Sequence, residues 1–134
     1  MGHKKRILLI EDEEDIAALI KLQAELSGYK LHVEVDGLNG FRAIEREKPD
    51  LVILDIMLPG IDGFDICRQI KEDPRYFRSF IVVVSAKCHE QDKLYAHLLG
   101  ADCYLTKPFS LASLLNAVNE INASLDKEYL VKKG

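Results

Sequence analysis

The sequence contains few cysteines and no long apolar segment. Its three cysteines, Cys67, Cys88 and Cys103, are far apart and show no Cys-x-x-Cys spacing. Their odd number and spacing argue against a disulfide framework and predict a reducing compartment. No apolar stretch approaches the roughly 18 residues that a membrane span needs, and residues 1–6 lack the apolar segment of a signal peptide. We therefore expect a cytoplasmic protein with no membrane partner.

An excess of positive charge is also lacking. The net charge is -4, with 48% hydrophobic and 30% charged residues, which gives no electrostatic reason to expect nucleic acid as a direct partner. A role on DNA would need another chain or domain. The length of 134 residues suits one globular domain. We expect that domain at 1–126 and a polar C-terminal tail or truncated linker at 127–134.

Short apolar runs indicate the strands. The runs at 7–10, 51–54 and 80–84 do not alternate with polar residues, which is typical of strands covered on both faces. Segments 31–35 and 103–106 are weaker strand candidates. Helical periodicity separates the five segments, and connections of that length predict a parallel sheet with helices on both faces and right-handed crossovers. The fold class is therefore α/β.

The helical patterns differ in the quality of their apolar faces. Gly28 and Gly100 stand where helix C-caps belong, and Pro49 follows the second pattern as a stop. The pattern at 88–99 has the poorest face, so we expect a loosely held helix there. The apolar positions of the five patterns are Ile16, Leu19, Ile20 and Leu26; Leu38, Phe41 and Ile44; Ile66, Cys67 and Ile70; Leu94, Tyr95 and Leu98; and Leu111, Leu114, Leu115, Val118, Ile121 and Leu125.

Chemically active side chains follow four of the five strand segments: Glu11 and Asp12, then Asp55, Ser85 and Lys107. Because ligands bind outside the carboxyl ends of parallel strands, these side chains are expected at one edge of the sheet. Each pair of carboxylates repels by about 4 kcal/mol at 4 Å and an effective dielectric near 20. Lys107 and a divalent cation would neutralise them, and hard oxygens suit Mg²⁺, or the similar Mn²⁺.

Asp55 is the candidate nucleophile, since a carboxylate can attack phosphorus to give an aspartyl-phosphate. The metal and Lys107 would screen the phosphoryl oxygens, and Ser85 could donate a hydrogen bond to one of them. Each residue alone has a simpler interpretation, because strand-end acids are more often turn residues or helix caps. The conjunction of these residues favours the phosphate site.

Other acids nearby have structural interpretations. Asp15 is expected to be only a turn residue or a helix cap, and Asp62 to cap the third helix. Glu13 and Glu14 are expected to form a solvated first helical turn, where negative charge is favoured by the helix dipole.

Four motifs carry a family resemblance: ILLIEDE at 7–13, LDIMLPGIDG at 54–63, VVSA at 83–86 and GADCYLTKPF at 100–109. In this order and spacing, the chain resembles the receiver domain of two-component response regulators, of the chemotaxis-regulator-like kind, along essentially its whole length. The resemblance implies a single flavodoxin-like, doubly wound domain with five parallel strands in the order 2-1-3-4-5 and five helices.

The resemblance also implies roles for the strand-end residues. Asp55 would accept a phosphoryl group from a phosphohistidine on a sensor histidine kinase or a histidine phosphotransfer protein. Asp12 would be the main metal ligand, with Glu11 assisting through water and the backbone carbonyl of Met57 completing the set. Lys107 would contact the phosphoryl group and act with Asp55 in catalysis. The protein would be no enzyme beyond promoting its own phosphorylation and dephosphorylation.

A switch is implied as well. Ser85 would move towards the phosphate and Tyr104 would turn inward with it, although Tyr104 could also be a plain half-buried strand aromatic. The surface of the fourth helix, fifth strand and fifth helix would then shift its population, for an output domain or target that the sequence does not identify. The peptide before Pro108 is expected to be cis, and Lys87 and Met57 are expected to border the phosphate.

Three departures from the family pattern qualify this resemblance. Glu11 stands where Asp is commoner, and Phe80 where many relatives have proline. The last helix lacks the Glu and Arg of the charged dimer interface found in receivers with winged-helix DNA-binding domains. We therefore expect a monomer or a weak phosphorylation-dependent dimer.

Three other functions share features with the switch. A flavodoxin-like flavin binder would need a hydroxyl- or glycine-rich phosphate loop after the first strand, where the acids at 11–15 would instead repel the phosphate. A phosphorylation-independent adaptor with a receiver fold is the alternative function, yet such adaptors typically lose the nucleophile, lysine or acid pair. A haloacid-dehalogenase-like phosphatase would need a second acid at the position of Met57.

Overall fold

A computed structural model describes residues 5–75, 79–87 and 89–133, with side chains up to residue 123. Cys88 therefore lies outside the described residues, as does the side chain of Leu125. Strands and helices alternate through the described chain. The elements are β1 (Arg6–Ile10), α1 (Glu14–Leu26), β2 (Lys30–Glu34), α2 (Gly37–Glu47), β3 (Leu51–Asp55), α3 (Gly63–Glu72), β4 (Phe80–Ser85), α4 (Glu90–Leu98), β5 (Cys103–Thr106) and α5 (Leu111–Lys133).

The five strands form one parallel sheet in the order β2-β1-β3-β4-β5, which confirms the predicted fold. In the register, Ile10 lies beside Leu54, and Asp55 lies beside Val84. The carboxyl ends of β1, β3 and β4 are therefore level with one another. The residues that follow these strands project from one edge of the sheet.

Two buried clusters fill the space on either side of the sheet. One lies among α2, α3, α4 and the sheet, and the other lies among α1, α5 and the sheet. The apolar strand residues alternate between the two clusters, because successive side chains of a strand point to opposite faces. Leu8 and Ile10 of β1, for example, belong to the first cluster, and Ile7 and Leu9 belong to the second. The strands are apolar throughout because both faces are covered.

Small residues as well as large apolar ones form the buried helix faces. The predicted core positions that are confirmed as buried are Ile20, Ile44, Ile66, Cys67, Ile70, Leu114, Val118 and Ile121. The prediction that several large helical residues face the core is wrong: Leu19, Leu26, Leu38, Phe41, Leu94, Tyr95 and Leu98 are exposed. Alanines and glycines are buried in their place: Ala17, Ala24, Gly37, Gly40, Ala43 and Ala96. A Cβ on Gly40 would lie 2.5 Å from Cδ1 of Ile10, so α2 approaches β1 too closely for a larger residue.

The predicted helix ends are largely confirmed. Gly28 and Gly100 have φ of 96° and 111° just after α1 and α4, a left-handed conformation that glycine adopts without a steric cost. Asp62 caps α3, because its carboxylate accepts a hydrogen bond from the amide of Phe64 at 2.9 Å. Asp15, in contrast, is not the cap of α1, since it lies in the first turn of that helix and Glu13 precedes it as the N-cap residue.

The last helix is longer than its apolar pattern. Helix α5 runs to Lys133, past Leu125, so that most of the expected polar tail is helical. The division into a domain at 1–126 and a tail at 127–134 stays a prediction. None of the helices in the described ranges is both long enough and apolar enough to span a membrane.

Candidate functional site

The edge of the sheet at the carboxyl ends of the strands brings four predicted site residues together. Glu11 follows β1, Asp55 ends β3, Ser85 ends β4 and Lys107 follows β5. Glu11 and Ser85 are fully buried, and Asp55 is 5% exposed. Asp12, the next residue after Glu11, is exposed. The pocket therefore has buried acids below and a solvent-accessible carboxylate at its mouth.

The ammonium of Lys107 is the electrostatic centre of the pocket. Its Nζ lies 2.8 Å from Oδ2 of Asp55 and 2.9 Å from Oε1 of Glu11. Desolvation lowers the pKa of Lys107, but the hydrogen bond to Asp55 and the negative charges of Asp55 and Glu11 outweigh it and raise the pKa above its usual value. The side chain therefore stays charged. The predicted cis peptide bond between Lys107 and Pro108 is confirmed.

Glu11 is a buried acid with an incompletely satisfied carboxylate. Burial raises its pKa above the ordinary 4.5, while Lys107 and the amide of Glu13 act in the opposite direction. Its Oε2 accepts the Glu13 amide at 3.1 Å. Its Oε1 is within ion-pair distance of Lys107 but accepts no hydrogen bond of good direction. The contact with Lys107 is therefore electrostatic, and Oε1 retains a lone pair for a cation.

Three carboxylates could hold a metal ion at this edge. One oxygen from each of Glu11, Asp12 and Asp55 lies within 4.8 Å of the other two. Such a set suits Mg²⁺, which binds through one or two carboxylates and keeps several waters. The incompletely satisfied Oε1 of Glu11 also fits a bound cation. The residues present therefore fit the expected metal, and the Met57 carbonyl stays a predicted ligand.

The loop after β3 shapes the other side of Asp55. The amide of Met57 donates a hydrogen bond to Oδ1 of Asp55 at 2.9 Å, while Lys107 binds the second oxygen. Both oxygens of the carboxylate are thus oriented by the protein. The Met57 side chain itself is 57% exposed, and its place beside the phosphate stays a prediction.

The two predicted switch residues bind the same segment. The amide of Lys87 donates to Oγ of Ser85 at 3.1 Å, and the hydroxyl of Tyr104 donates to the carbonyl of Lys87 at 2.8 Å. Tyr104 is half-buried and packs against the cluster beside α3 and α4. The movement of Ser85 and Tyr104 on phosphorylation stays a prediction.

Glu13 is the site residue that sequence reasoning missed. Its side chain was expected in a solvated turn, and it is 57% exposed, yet its Oε1 lies 3.5 Å from Nζ of Lys107. Its amide also holds Glu11. A sequence signal existed, because Glu13 is the third acid in succession after β1, at the point where the chain turns into α1.

Comparison with known proteins shows the family. The family model described as "Response regulator receiver domain" matches residues 7–119 of the sequence, so the chain belongs to this family. Receiver domains are signalling domains of two-component systems rather than classical enzymes; they interact with kinases and bind Mg²⁺ at an acidic pocket.

Two curated relatives and one solved structure illustrate the similarity. The chain is 43% identical over 106 residues to the alkaline phosphatase synthesis transcriptional regulatory protein PhoP of Bacillus subtilis, covering 79% of this chain and 43% of that protein. It is 36% identical over 122 residues to the DNA-binding dual master transcriptional regulator RpaA of Synechocystis, covering 91% and 51%. A CheY-like receiver domain protein from Methanospirillum hungatei superposes with a TM-score of 0.85 at 26% identity, covering 93% and 98%.

These relatives change one expectation. The chain spans about half the length of the two curated relatives. One of them is DNA-binding by name, and the other is a transcriptional regulatory protein. The prediction that nucleic acid is not a direct partner is therefore not supported by these relatives.

Proposed function

We propose that this protein is a phosphorylation-dependent switch in which Asp55 accepts a phosphoryl group from a phosphohistidine. The donor would be a sensor histidine kinase or a histidine phosphotransfer protein. The observation that supports this function is the position of the Lys107 ammonium, 2.8 Å from Asp55 and 2.9 Å from Glu11. Asp12 adds a third carboxylate to the same pocket. A cation and three acids around one strand end are suited to phosphoryl transfer.

The transfer needs no co-reactant beyond the phosphohistidine. A carboxylate oxygen of Asp55 attacks phosphorus, the new P–O bond forms, and the bond from phosphorus to the imidazole nitrogen breaks. The electron pair of that bond stays on the imidazole, which takes a proton from solvent. Lys107 remains an ammonium because its pKa is raised, so that it can donate to the phosphoryl oxygens throughout the reaction.

Glu11, Asp12 and Asp55 would hold the metal ion, together with the Met57 carbonyl. When bound, Mg²⁺ supplies charge neutralisation for the phosphoryl oxygens. The Met57 amide orients Asp55 by its hydrogen bond to Oδ1. Burial of Glu11 at the base of the pocket keeps its carboxylate close to Lys107.

The output would be a shift of the surface formed by α4, β5 and α5. The Ser85 hydroxyl would leave the Lys87 amide and donate to the phosphoryl group, and Tyr104 would respond to this movement. A new negative charge would then favour one of two arrangements of that surface. A chemotaxis-like role and a role beside an output domain or a separate target are both compatible with this mechanism.

Intact mass spectrometry after incubation with acetyl phosphate and Mg²⁺ tests the proposal. The parent protein is expected to gain the mass of one phosphoryl group, and Asp55→Asn to gain none. Asp65→Asn is the matched control, because Asp65 is a carboxylate of α3 that pairs with Arg68 at 3.1 Å. It should be phosphorylated like the parent. A parent protein that gains no mass would contradict the switch and leave the phosphorylation-independent adaptor as the better function.

A further inference from the structure

Lys87 lies at the junction of the pocket and α4. Its amide binds Ser85 and its carbonyl binds Tyr104, at 3.1 and 2.8 Å. Helix α4 begins three residues later, at Glu90. A displacement of either hydroxyl therefore acts on the main chain of Lys87, directly before the start of this helix.

The Lys87 side chain reaches a ring on another helix. Its Nζ lies 5.5 Å from the ring centroid of Phe64, a distance at which a cation is attracted to an aromatic face. Phe64 belongs to the first turn of α3 and is 8% exposed. Because the ring keeps its face towards the charge, the ammonium helps to fix the orientation of the ring.

The same ring contacts α4. The ring of Tyr95 lies edge-on to Phe64, with a centroid distance of 4.8 Å and an interplanar angle of 69°. This is the geometry that aromatic pairs prefer. Phe64 therefore has the Lys87 ammonium on one side and an α4 side chain on another.

Helix α4 has few other attachments through its side chains. Ala96 is its one buried residue in the described chain, and Leu94 and Leu98 are exposed. Alanine offers little contact area, so the Tyr95 ring, which is 52% exposed but contacts Phe64 edge-on, is a point at which α4 is held against α3.

We propose that Phe64 is a positioning residue that couples the pocket to α4, through the Lys87 ammonium on its ring and the edge contact with Tyr95. When Ser85 and Tyr104 leave the Lys87 main chain, Lys87 shifts from the ring, Phe64 reorients, and the contact with Tyr95 is lost. This inference rests on the proposed function for its trigger. The contact that holds α4 is independent of the trigger.

Hydrogen exchange of the α4 amides, with and without acetyl phosphate and Mg²⁺, measures the coupling. In the parent protein, phosphorylation is expected to speed exchange in α4. Tyr95→Ala should exchange roughly fivefold faster before phosphorylation, with no further increase afterwards. Tyr95→Phe keeps the ring and should behave like the parent. Parent-like exchange in Tyr95→Ala would overturn the proposal.

A second pair of variants tests the charge of the Lys87 side chain separately from the Tyr95 contact. Lys87→Met removes the ammonium but keeps the stem and the main-chain hydrogen bonds, and α4 should exchange faster. Lys93→Met is the matched control within α4, where Lys93 pairs with Glu90 at 3.6 Å. Equal exchange in the two variants would contradict the role of the ammonium. If the parent gains no phosphoryl mass, the proposed switch fails, while the unphosphorylated variants still decide whether Phe64 and Tyr95 hold α4.

Discussion

Strand β3 and helix α4 pack against the same core cluster but are held very differently. Every residue of β3 is buried, including Asp55 at its end. Helix α4 buries Ala96 and leaves its leucines in solvent. Asp55 is therefore fixed by the packing of its strand and by hydrogen bonds to both carboxylate oxygens, while α4 can move at a low cost in buried surface. The proposed chemistry and the proposed output therefore occupy regions that differ strongly in burial.

The largest effect is expected in β3. Leu54→Ala removes a fully buried side chain next to Asp55 and should lower the free energy of unfolding by about 2–5 kcal/mol through the cavity that it leaves. Urea denaturation measures this change. Leu26→Ala, at a position that is 73% exposed, is the matched control. Equal losses for both variants would show that β3 is not the rigid element described above.

Magnesium should stabilise the rigid region selectively. At a concentration 100 times its Kd, a ligand that binds only the folded state adds about 2.7 kcal/mol to the free energy of unfolding. We expect this gain in the parent protein and a much smaller one in Asp12→Ala, measured by denaturation with Mg²⁺ or with a chelator. The α4 amides should exchange at the same rate in both conditions. An undiminished gain in Asp12→Ala would remove Asp12 from the metal site.

Glu11 should make stability depend on pH. Its folded-state pKa is raised above 4.5 by burial, so the stabilising contribution of its protonated form is complete below pH 4.5 and is lost as the pH rises through the folded-state pKa. Glu11→Gln, measured without metal, should match the parent at low pH and become more stable than the parent at higher pH. The opposite trend would mean that the pKa is lowered by Lys107 instead.

The smallest effect is expected on α4. Leu98→Ala replaces a side chain that is 73% exposed, so the free energy of unfolding should change by less than about 0.5 kcal/mol. Urea denaturation measures this variant beside Leu54→Ala. A loss as large as that of Leu54→Ala would mean that α4 packs far more tightly than its exposure indicates.

The sheet and most of the pocket were predictable because their signals are local. Apolar runs ending at Ile10 and Leu54 predict strands covered on both faces, and the next residue in each case is a carboxylate. A parallel sheet then brings strand ends to one edge without any knowledge of side-chain packing. Glu11, Asp55 and Lys107 could be grouped in this way before their distances were known.

The helix faces were not predictable in the same way. Hydrophobicity favours Leu38 and Phe41 as core residues of α2, but the distance between α2 and β1 admits Gly40 against Ile10 and leaves the larger residues outside. The distance between α2 and β1 is set by how the layers pack, so the sequence of α2 alone does not predict it. The same holds in α4, where Ala96 is buried and Leu98 is not.

Contacts between side chains that are far apart in the sequence could not be predicted either. Glu13 was predicted to be a solvated turn residue, because the run of acids after β1 indicates an acidic edge but does not show that Lys107, 94 residues later, lies 3.5 Å away. The approach of Lys87 and Tyr95 to one ring depends on how α3 and α4 sit beside each other. Neither arrangement leaves a periodic pattern.

The assembly of the pocket from both halves of the chain has a consequence during protein synthesis. The ribosome completes the acids at positions 11, 12 and 55 well before it adds Lys107. A product of premature termination between Asp55 and Cys103 would carry the proposed nucleophile without Lys107 and without β5. Under the proposed function, such a fragment would lack the cation that pairs with Asp55, so an unfinished chain would not act as a phosphorylation switch.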